Sequence, residues 1–192
     1  VEMTKAIIYD YETLATDGNT DVILSLAALE FNITPDMDYD YNDLVANAKH
    51  IKFDVEDQVK NYGRTINKDT VLWWSEQGES AKKILKPSAD DRPLHDILEF
   101  FGQFDFNKTR YIITRGDMDP LFTKSFYKLY GLPLPYAYYK WRDSRSLIDG
   151  LSVWQIADNF SPKLPPDTDV IAHDARYDIA LDVIRIQQCF TV

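Results

Sequence analysis

The sequence contains a single cysteine and no long apolar run. Because Cys189 is alone in 192 residues, the chain cannot form an internal disulfide, and we expect a small buried side chain in a C-terminal helix. No segment approaches the roughly 20 apolar residues that a membrane-spanning helix needs. The segment Val1–Ile8 carries Glu2 and Lys5, which argues against a signal peptide. We therefore expect an unexported, cytoplasmic protein without a membrane partner.

Basic residues are also scarce, since 21 Lys and Arg stand against 31 Asp and Glu and give a formal net charge of −10 at pH 7. Non-specific binding of nucleic acid normally rests on Lys and Arg that neutralise phosphates, so charge alone argues against this partner. A site made of carboxylates, however, recruits divalent cations, which become the largest local charges. The acidic composition is therefore compatible with a metal-dependent nuclease.

The apolar residues predict one α/β domain over residues 1–192, because a hydrophobic content of 45% fills one core of this size. Two β-prone runs, Lys5–Tyr9 and Val22–Phe31, flank the turn-forming Asp17-Gly18-Asn19 and predict a hairpin of buried strands. Further strands are predicted over His50–Val55 and Tyr111–Thr114. The acidic stretch Pro35–Asp43, which precedes the strand predicted over His50–Val55, is typical of a solvated loop.

Helical patterns dominate the middle and the end of the chain. Apolar residues at i, i+3, i+4 and i+7 predict a helix over Leu94–Phe101. Asp69 or Thr70 is expected to cap an earlier helix, and Asp119 a later one that Gly131 ends. Two more helices are predicted, over Asp143–Leu151 and from Ala175 onward. These elements predict a layered domain with a mixed sheet flanked by helices.

Asp10 and Glu12 end the first predicted strand. Residues two apart in a strand point to the same side, so both carboxylates project together and can share a hard cation. The spacing alone is weak evidence, since the same pattern recurs at positions 36–38, 54–56 and 167–169. The place of the first pair at the end of an apolar run is more informative, because two charges there are costly without a counter-ion. A surface strand end is the alternative interpretation.

His173 and Asp178 form a second group of polar residues. The histidine follows the extended segment Asp169–Ala172, and the carboxylate lies one turn into the helix that comes next. Histidine suits a general base because its unperturbed pKa lies near neutrality. A lone histidine is nevertheless more often a satisfied polar side chain than a catalytic one.

A third group lies in Arg115-Gly116-Asp117-Met118-Asp119, again where a predicted strand meets a helix. Simple capping of the helix by Asp119 would explain it without a metal. All three groups follow candidate strands, where α/β sheets gather their ligand-binding side chains. Together they supply the oxygen ligands and the base that two-cation hydrolysis of a phosphodiester requires.

The order Asp-x-Glu, then Asp, then His-x₄-Asp resembles the DEDDh-type, DnaQ-like 3′→5′ exonucleases. Six segments resemble more specifically the T-even phage exonuclease A type and the mycobacterial-type exoribonucleases. They are D-Y-E-T-L at 10–14, I-K-F-D at 51–54, T-V-L-W-W-S-E-Q at 70–77, R-G-D-M-D at 115–119, W-R-D-S-R at 141–145 and A-H-D-A-R-Y-D at 172–178. The resemblance implies a ribonuclease-H-like fold, with a mixed β-sheet flanked by α-helices, and the host cytoplasm as location if the protein is of phage origin.

The resemblance also assigns the catalytic residues. It implies that Asp10, Glu12, Asp119 and Asp178 hold two divalent cations, Mg²⁺ or Mn²⁺, and that His173 is the general base.

The central metal ligand of this set has two candidates in the sequence. The family usually places an apolar or aromatic residue just before it, whereas here Met118 precedes Asp119 and Asp117 competes for the role. Asp119 is preferred because Leu121 and Phe122 follow it as in the family pattern, and Asp117 stays the alternative.

Four further residues are expected to contact the substrate. The resemblance implies that Thr13 and Leu14 face the terminal nucleotide, with an ordinary turn as the alternative. Trp74 or its neighbour Trp73 could stack on a base, but adjacent helical residues differ by about 100° in direction. Core packing is therefore the alternative for one of them. Arg115 is expected to hold either a phosphate or a carboxylate.

The implied reaction is hydrolysis of the 3′-terminal phosphodiester of DNA or RNA by two-metal-ion catalysis, with release of nucleoside 5′-monophosphates. The expected partner is a nucleic-acid 3′ end. The preferred sugar, the strandedness of the substrate and a homodimer stay open. Two alternatives belong to other classes: a nucleic-acid- or protein-binding module of the same fold with a silent site, and a metal-dependent phosphohydrolase of small nucleotides.

Overall fold

The structure, a computed structural model, describes residues 3–152 and 161–190. Its centre is a five-stranded sheet in the order β3-β2-β1-β4-β5. The strands are β1 (Thr4–Thr13), β2 (Ile23–Ile33), β3 (Lys49–Lys52), β4 (Tyr111–Thr114) and β5 (Trp141–Asp143). β1, β2 and β3 pair antiparallel, whereas β4 runs parallel to both β1 and β5. The predicted mixed sheet is therefore confirmed.

Eight α-helices flank the sheet in the described residues. They are α1 (Tyr41–Asn47), α2 (Val55–Tyr62), α3 (Lys68–Ser75), α4 (Glu79–Lys82), α5 (Ile97–Gly102), α6 (Met118–Leu129), α7 (Ser144–Ser152) and α8 (Ala175–Cys189). Short 3₁₀ turns cover Lys83–Leu85, Leu94–Asp96 and Tyr138–Lys140. None of the described helices combines the length and the apolar character that crossing a membrane requires.

The central strand β1 separates two apolar layers, because its side chains alternate between the two faces of the sheet. Ala6 and Ile8 pack with α8 and Ile148 of α7 on one face, whereas Ile7 and Tyr9 pack with α5 and α6 on the other. Alternation places Asp10 and Glu12 on the α8 face. The buried strand β1 thus aims both carboxylates at the helix that carries Asp178.

The predicted hairpin is present, with β1 and β2 in antiparallel register. Asp10 pairs with Ala27 and Glu12 with Ser25, and the register shifts at Glu12/Thr13. The small side chains of Ala27 and Ser25 beside the two carboxylates are fully buried. This pairing fixes the direction of the Asp10 and Glu12 side chains through backbone hydrogen bonds.

Two predicted helix caps are wrong. The cap of α3 is Asn67, whose side chain accepts from the N–H groups of Asp69 and Thr70, so these two residues lie in the first turn. Helix α6 begins one residue before Asp119, and Asp117 occupies the N-cap position without a side-chain cap bond. Asp119 is therefore a residue of the first turn, free of the capping role.

Two further element boundaries differ from the predicted ones, again because of helix capping. The strand predicted over His50–Val55 ends at Lys52, because the Asp54 side chain caps α2. The loop predicted over Pro35–Asp43 is only partly present, because α1 begins within it, at Tyr41. In both places an aspartate side chain caps the helix and so sets the residue at which the helix begins. Cys189, as expected, is a buried free cysteine of the last helix.

Candidate active site

Three of the expected carboxylates converge where β1 ends beside α8. One carboxylate oxygen from each of Asp10, Glu12 and Asp178 lies within 4.8 Å of the others. β1 supplies two of these side chains on one face, and the first turn of α8 supplies the third. Carboxylate oxygens are the donors that Mg²⁺ and Mn²⁺ prefer, so this set fits a hard divalent cation.

Asp119 approaches the same group from α6. Its side chain is 5% exposed, and its Oδ1 accepts a 3.2 Å hydrogen bond from the backbone N–H of Tyr11, the residue between Asp10 and Glu12. Asp117, the alternative ligand, is exposed to solvent. Of the two carboxylates, the structure brings Asp119 against the strand segment that carries Asp10 and Glu12, beside the group of three, and leaves Asp117 exposed.

Burial and mutual repulsion disfavour negative charge at this centre. Burial raises the pKa of Asp10 well above its usual value, and the charges of Asp119 and Glu12 raise it further. The pKa of Glu12 is raised for the same reasons, with Asp178 as its main charged neighbour. Burial also raises the pKa of Asp119 to about 7 and that of Asp178 to about 6. A bound cation would relieve this repulsion, which supports the fit of the donor set.

His173 lies beside the carboxylates in a turn before α8. The segment 169–172 is not a strand, and His173 itself has a positive φ of 61°, so the predicted strand-to-helix junction is wrong here. The histidine lines a cavity of about 300 Å³ together with Asp10 and Asp178. Burial lowers its pKa, so the imidazole is neutral at pH 7 and can accept a proton.

The two tryptophans of α3 have different environments. Trp74 is 1% exposed, and its indole N–H donates a 2.9 Å hydrogen bond to the carbonyl of Thr13. It therefore presents no open ring face to a base, contrary to the expectation. Trp73 is 41% exposed and meets the His173 ring edge-on at 4.7 Å between centroids. The aromatic surface at the site belongs to Trp73.

Thr13 and Leu14 form the turn that leaves β1. The Thr13 hydroxyl donates a 2.7 Å hydrogen bond to the carbonyl of Ala15. Leu14 is 6% exposed and packs with Leu24 and Trp74 in a small apolar cluster. These contacts stabilise the turn and fix its position directly after Glu12.

Arg115 contacts a carboxylate that the sequence reasoning missed. Its Nη1 donates to Oδ1 of Asp182 at 2.9 Å, and Arg185 Nη1 donates to the same oxygen at 2.6 Å. Ser144 donates to the other oxygen at 2.6 Å. Asp182 lies outside the expected ligand set, and contact of Arg115 with a phosphate stays a prediction. The helical spacing of four residues after Asp178 was the signal that could have identified Asp182.

The R-G-D-M-D and W-R-D-S-R segments interlock behind Asp119. Gly116 has a φ of +91°, and its N–H donates to Asp143 at 2.8 Å. The Trp141 indole donates to Thr114, whose hydroxyl donates to the Gly116 carbonyl. A side chain at Gly116 would meet a guanidinium nitrogen of Arg145 at 3.2 Å. The turn that delivers Asp119 is therefore fixed by the neighbouring strand β5.

Solved structures of exonuclease I share the fold of this chain. The chain aligns with an exonuclease I structure described as suggesting how processivity is achieved, with a TM-score of 0.59 and 13% identity, over 98% of this chain and 42% of that one. Exonuclease I of Methylocaldum szegediense gives a TM-score of 0.60 and 12% identity, over 98% and 42%. The chain thus spans less than half the length of these proteins, and at this identity the likeness shows the shared ribonuclease-H-like fold.

Sequence comparisons are more specific. An exodeoxyribonuclease of Enterobacteria phage T4 is 27% identical over 201 residues, which cover 94% of this chain and 86% of that protein. The profile of the 3′-5′ exoribonuclease Rv2179c-like domain matches residues 5–186, nearly the whole chain. The convergent carboxylates lie inside the matched region. The chain is accordingly a nuclease that belongs to the Rv2179c-like 3′-5′ exoribonuclease domain family.

Proposed function

We propose that this chain acts as a single exonuclease domain that hydrolyses the 3′-terminal phosphodiester of a nucleic acid and releases nucleoside 5′-monophosphates. The observation that carries the proposal is the convergence of the Asp10, Glu12 and Asp178 carboxylates within 4.8 Å of one another, with Asp119 beside them. Membership of a 3′-5′ exoribonuclease family supports the direction of hydrolysis.

Asp10, Glu12, Asp119 and Asp178 would hold two divalent cations, Mg²⁺ or Mn²⁺. When bound, such cations supply positive charge for the phosphate and lower the pKa of a water molecule. The protein contributes the oxygen ligands and their fixed positions, through the β1–β2 pairing and the hydrogen bond from Tyr11 to Asp119. Because the raised pKa values of these groups fall when a cation binds, metal binding should release protons.

His173 is the general base of the proposed reaction. It lines the cavity that Asp10 and Asp178 also line, and its burial keeps the imidazole neutral at pH 7. In this form a ring nitrogen accepts the proton that the attacking water loses. The edge-on contact with Trp73 limits the ring to few orientations.

The turn after β1 and helix α3 would contact the terminal nucleotide. We propose that the backbone of Thr13 faces it, since Thr13 follows Glu12 directly. The Leu14 side chain, which was also expected to face the nucleotide, is 6% exposed and instead supports the turn by packing with Leu24 and Trp74. Trp73 takes the stacking role that was expected of Trp74, because its ring is 41% exposed beside His173. Trp74 supports this arrangement from the core through its hydrogen bond to Thr13.

The substrate is DNA or RNA, and the comparisons support both sugars. The matching family is named for exoribonucleases, whereas the phage T4 relative is named an exodeoxyribonuclease. One exonuclease I structure of the same fold is a complex with single-stranded DNA. A ribose-specific enzyme would need contacts to the 2′-hydroxyl group.

Digestion of end-labelled strands tests the proposal. Single-stranded and duplex DNA and RNA, labelled at the 3′ or the 5′ end, are incubated with Mg²⁺, Mn²⁺ or a chelator, and the ladders are resolved. We expect release of 3′-terminal mononucleotides that requires metal. Shortening from the 5′ end, or hydrolysis in the presence of chelator, would overturn the proposal. Hydrolysis of free nucleotides without attack on any strand would favour a small-molecule phosphohydrolase.

A further inference from the structure

Asp182 is a fifth carboxylate in the active-site region, and the proposed chemistry does not use it. It lies one helical turn after Asp178 in α8 and is 2% exposed. Arg115 and Arg185 both bind its Oδ1, at 2.9 and 2.6 Å, and Ser144 binds its Oδ2 at 2.6 Å. These partners come from the β4–α6 turn, from α8 itself and from the start of α7.

The two arginines share a cavity with the carboxylates that would bind metal. The cavity of about 300 Å³ is lined by Asp10 and Asp178 as well as by Arg115, Asp182 and Arg185. The guanidinium groups and the proposed metal ligands therefore border the same cavity.

A guanidinium group competes well for carboxylates in such a place. It is always protonated, and its planar fork pairs with both oxygens of a carboxylate. Crowded carboxylates that lack a counter-ion attract such a group, and the pair would occupy the lone pairs that a metal ligand must keep available. The buried oxygen of Asp182 instead receives hydrogen bonds from both arginines.

We propose that Asp182 is a positioning residue that holds Arg115 and Arg185 away from the metal-binding carboxylates and so keeps Asp10 and Asp178 available to divalent cations. The inference rests on the proposed function, because it presumes that these carboxylates hold metal.

Direct Mn²⁺ binding without substrate tests the role of Asp182. Free Mn²⁺ is measured by electron paramagnetic resonance in titrations of the full chain. In Asp182→Asn the charge is removed at nearly constant shape, and we expect the Mn²⁺ dissociation constant to rise about 10-fold, the usual effect of losing a residue that supports metal ligands. The triple variant Arg115→Gln/Asp182→Asn/Arg185→Gln should recover the wild-type affinity, because the competing cations are gone.

Recovery in the triple variant separates this role from simple packing. A purely structural role predicts that the triple variant binds Mn²⁺ at least as weakly as Asp182→Asn, and that result would overturn the inference. Ser144→Ala is the matched control: it removes the hydrogen bond to Oδ2 and leaves both arginine contacts, so the Mn²⁺ affinity should not change. Thermal melts establish that each variant is folded.

Arg115→Gln alone provides a second test if Asp182→Asn does not fold. Since it removes one competing cation, Mn²⁺ should bind as tightly as in the wild type or more tightly, and weaker binding contradicts the inference. The proposed function can fail separately. A wild-type protein that binds Mn²⁺ through Asp10 and Asp178 but digests no strand refutes the exonuclease and leaves the role of Asp182 standing. A metal-dependent exonuclease whose Asp182→Asn variant binds Mn²⁺ normally refutes only the inference.

Discussion

The backbone N–H of Tyr11 donates a 3.2 Å hydrogen bond to Asp119, which lies 108 positions farther along the chain. The bond joins the strand segment between Asp10 and Glu12 to the first turn of α6. A carboxylate that accepts a buried backbone N–H is fixed in position, and its other oxygen remains available for a further partner. This contact distinguishes Asp119 from Asp117, which is exposed.

The first prediction concerns these two aspartates. Asp119→Asn should lower kcat/KM by more than about 100-fold, because it removes a charged ligand from the proposed metal site. Asp117→Asn, the matched control two residues earlier, should change kcat/KM by no more than about 2-fold, as is usual for surface substitutions. Steady-state kinetics on a labelled oligonucleotide measure both. An inactive Asp117→Asn beside an active Asp119→Asn would reverse the ligand assignment.

The second prediction concerns His173. His173→Gln should reduce kcat by about 10²–10⁴-fold, the usual contribution of a general base. Because burial lowers the pKa of His173 from 6.5, the base is unprotonated over a wider pH range, and the rate should rise through a pKa below 6.5 and then level off. The pH–rate profile of single-turnover hydrolysis measures this rise of the rate at acidic pH, the acid limb of the profile.

His95 provides the control for His173. Its side chain is 58% exposed and contacts Asp96, outside the carboxylate cluster. His95→Gln should keep both the rate and the pH profile of the wild type. An acid limb that persists unchanged in His173→Gln would assign this limb to another group, such as the metal-binding carboxylates. A kcat of His173→Gln equal to that of the wild type would remove His173 from the mechanism.

The third prediction separates the adjacent tryptophans of α3. Trp73→Ala should raise KM by about 5- to 100-fold, because stacking on a base contributes about 1–3 kcal/mol, and should change stability little. Trp74→Ala should instead lower the free energy of unfolding by about 3–5 kcal/mol, since a large buried ring leaves a cavity. Kinetics and urea denaturation of both variants measure the two effects. A normal KM in Trp73→Ala would exclude the stacking role.

The sequence was sufficient to predict the central strands and the first carboxylate pair. The apolar run before Asp10 identified β1, and β4 matches the predicted Tyr111–Thr114. Because side chains alternate in a strand, the common direction of Asp10 and Glu12 followed from their spacing alone. The sequence pattern could not show that Asp178 lies close to Asp10 and Glu12, because this contact depends on the folded chain. Only the resemblance to a family placed Asp178 in the same site.

The sequence did not determine which side of each helix faces the core. In α3 the four residues 71–74 are all apolar, and only the structure shows that Trp74 faces the core while Leu72 is 61% exposed. In α6 the residue at which the helix starts determines whether Asp117 or Asp119 faces β1. The sequence does not mark this start, because the N-cap residue makes no side-chain hydrogen bond. Asp182 was missed because its partners, Arg115 and Ser144, are distant in sequence.

The last prediction concerns stability in the absence of metal. The pKa of Asp119 is raised to about 7 and that of Asp178 to about 6, mainly by burial, whereas in the unfolded chain both values are about 4. A raised pKa means that the folded state holds protons that the unfolded state has released. The resulting stabilisation is present at low pH and is lost as the pH rises through the folded-state values.

The chelated protein should therefore be less stable at about pH 7.5 than at about pH 5, and Mn²⁺ should raise the melting temperature more at the higher pH, where it replaces the lost protons. Thermal denaturation at both pH values, with chelator and with Mn²⁺, measures the effect. In Asp119→Asn/Asp178→Asn the pH dependence should be weaker, because two of the titrating groups are gone, whereas Asp117→Asn should retain it. Equal stability of the chelated wild type at both pH values would show that burial does not raise the pKa values of these carboxylates, and the electrostatic reason for expecting bound cations would be lost.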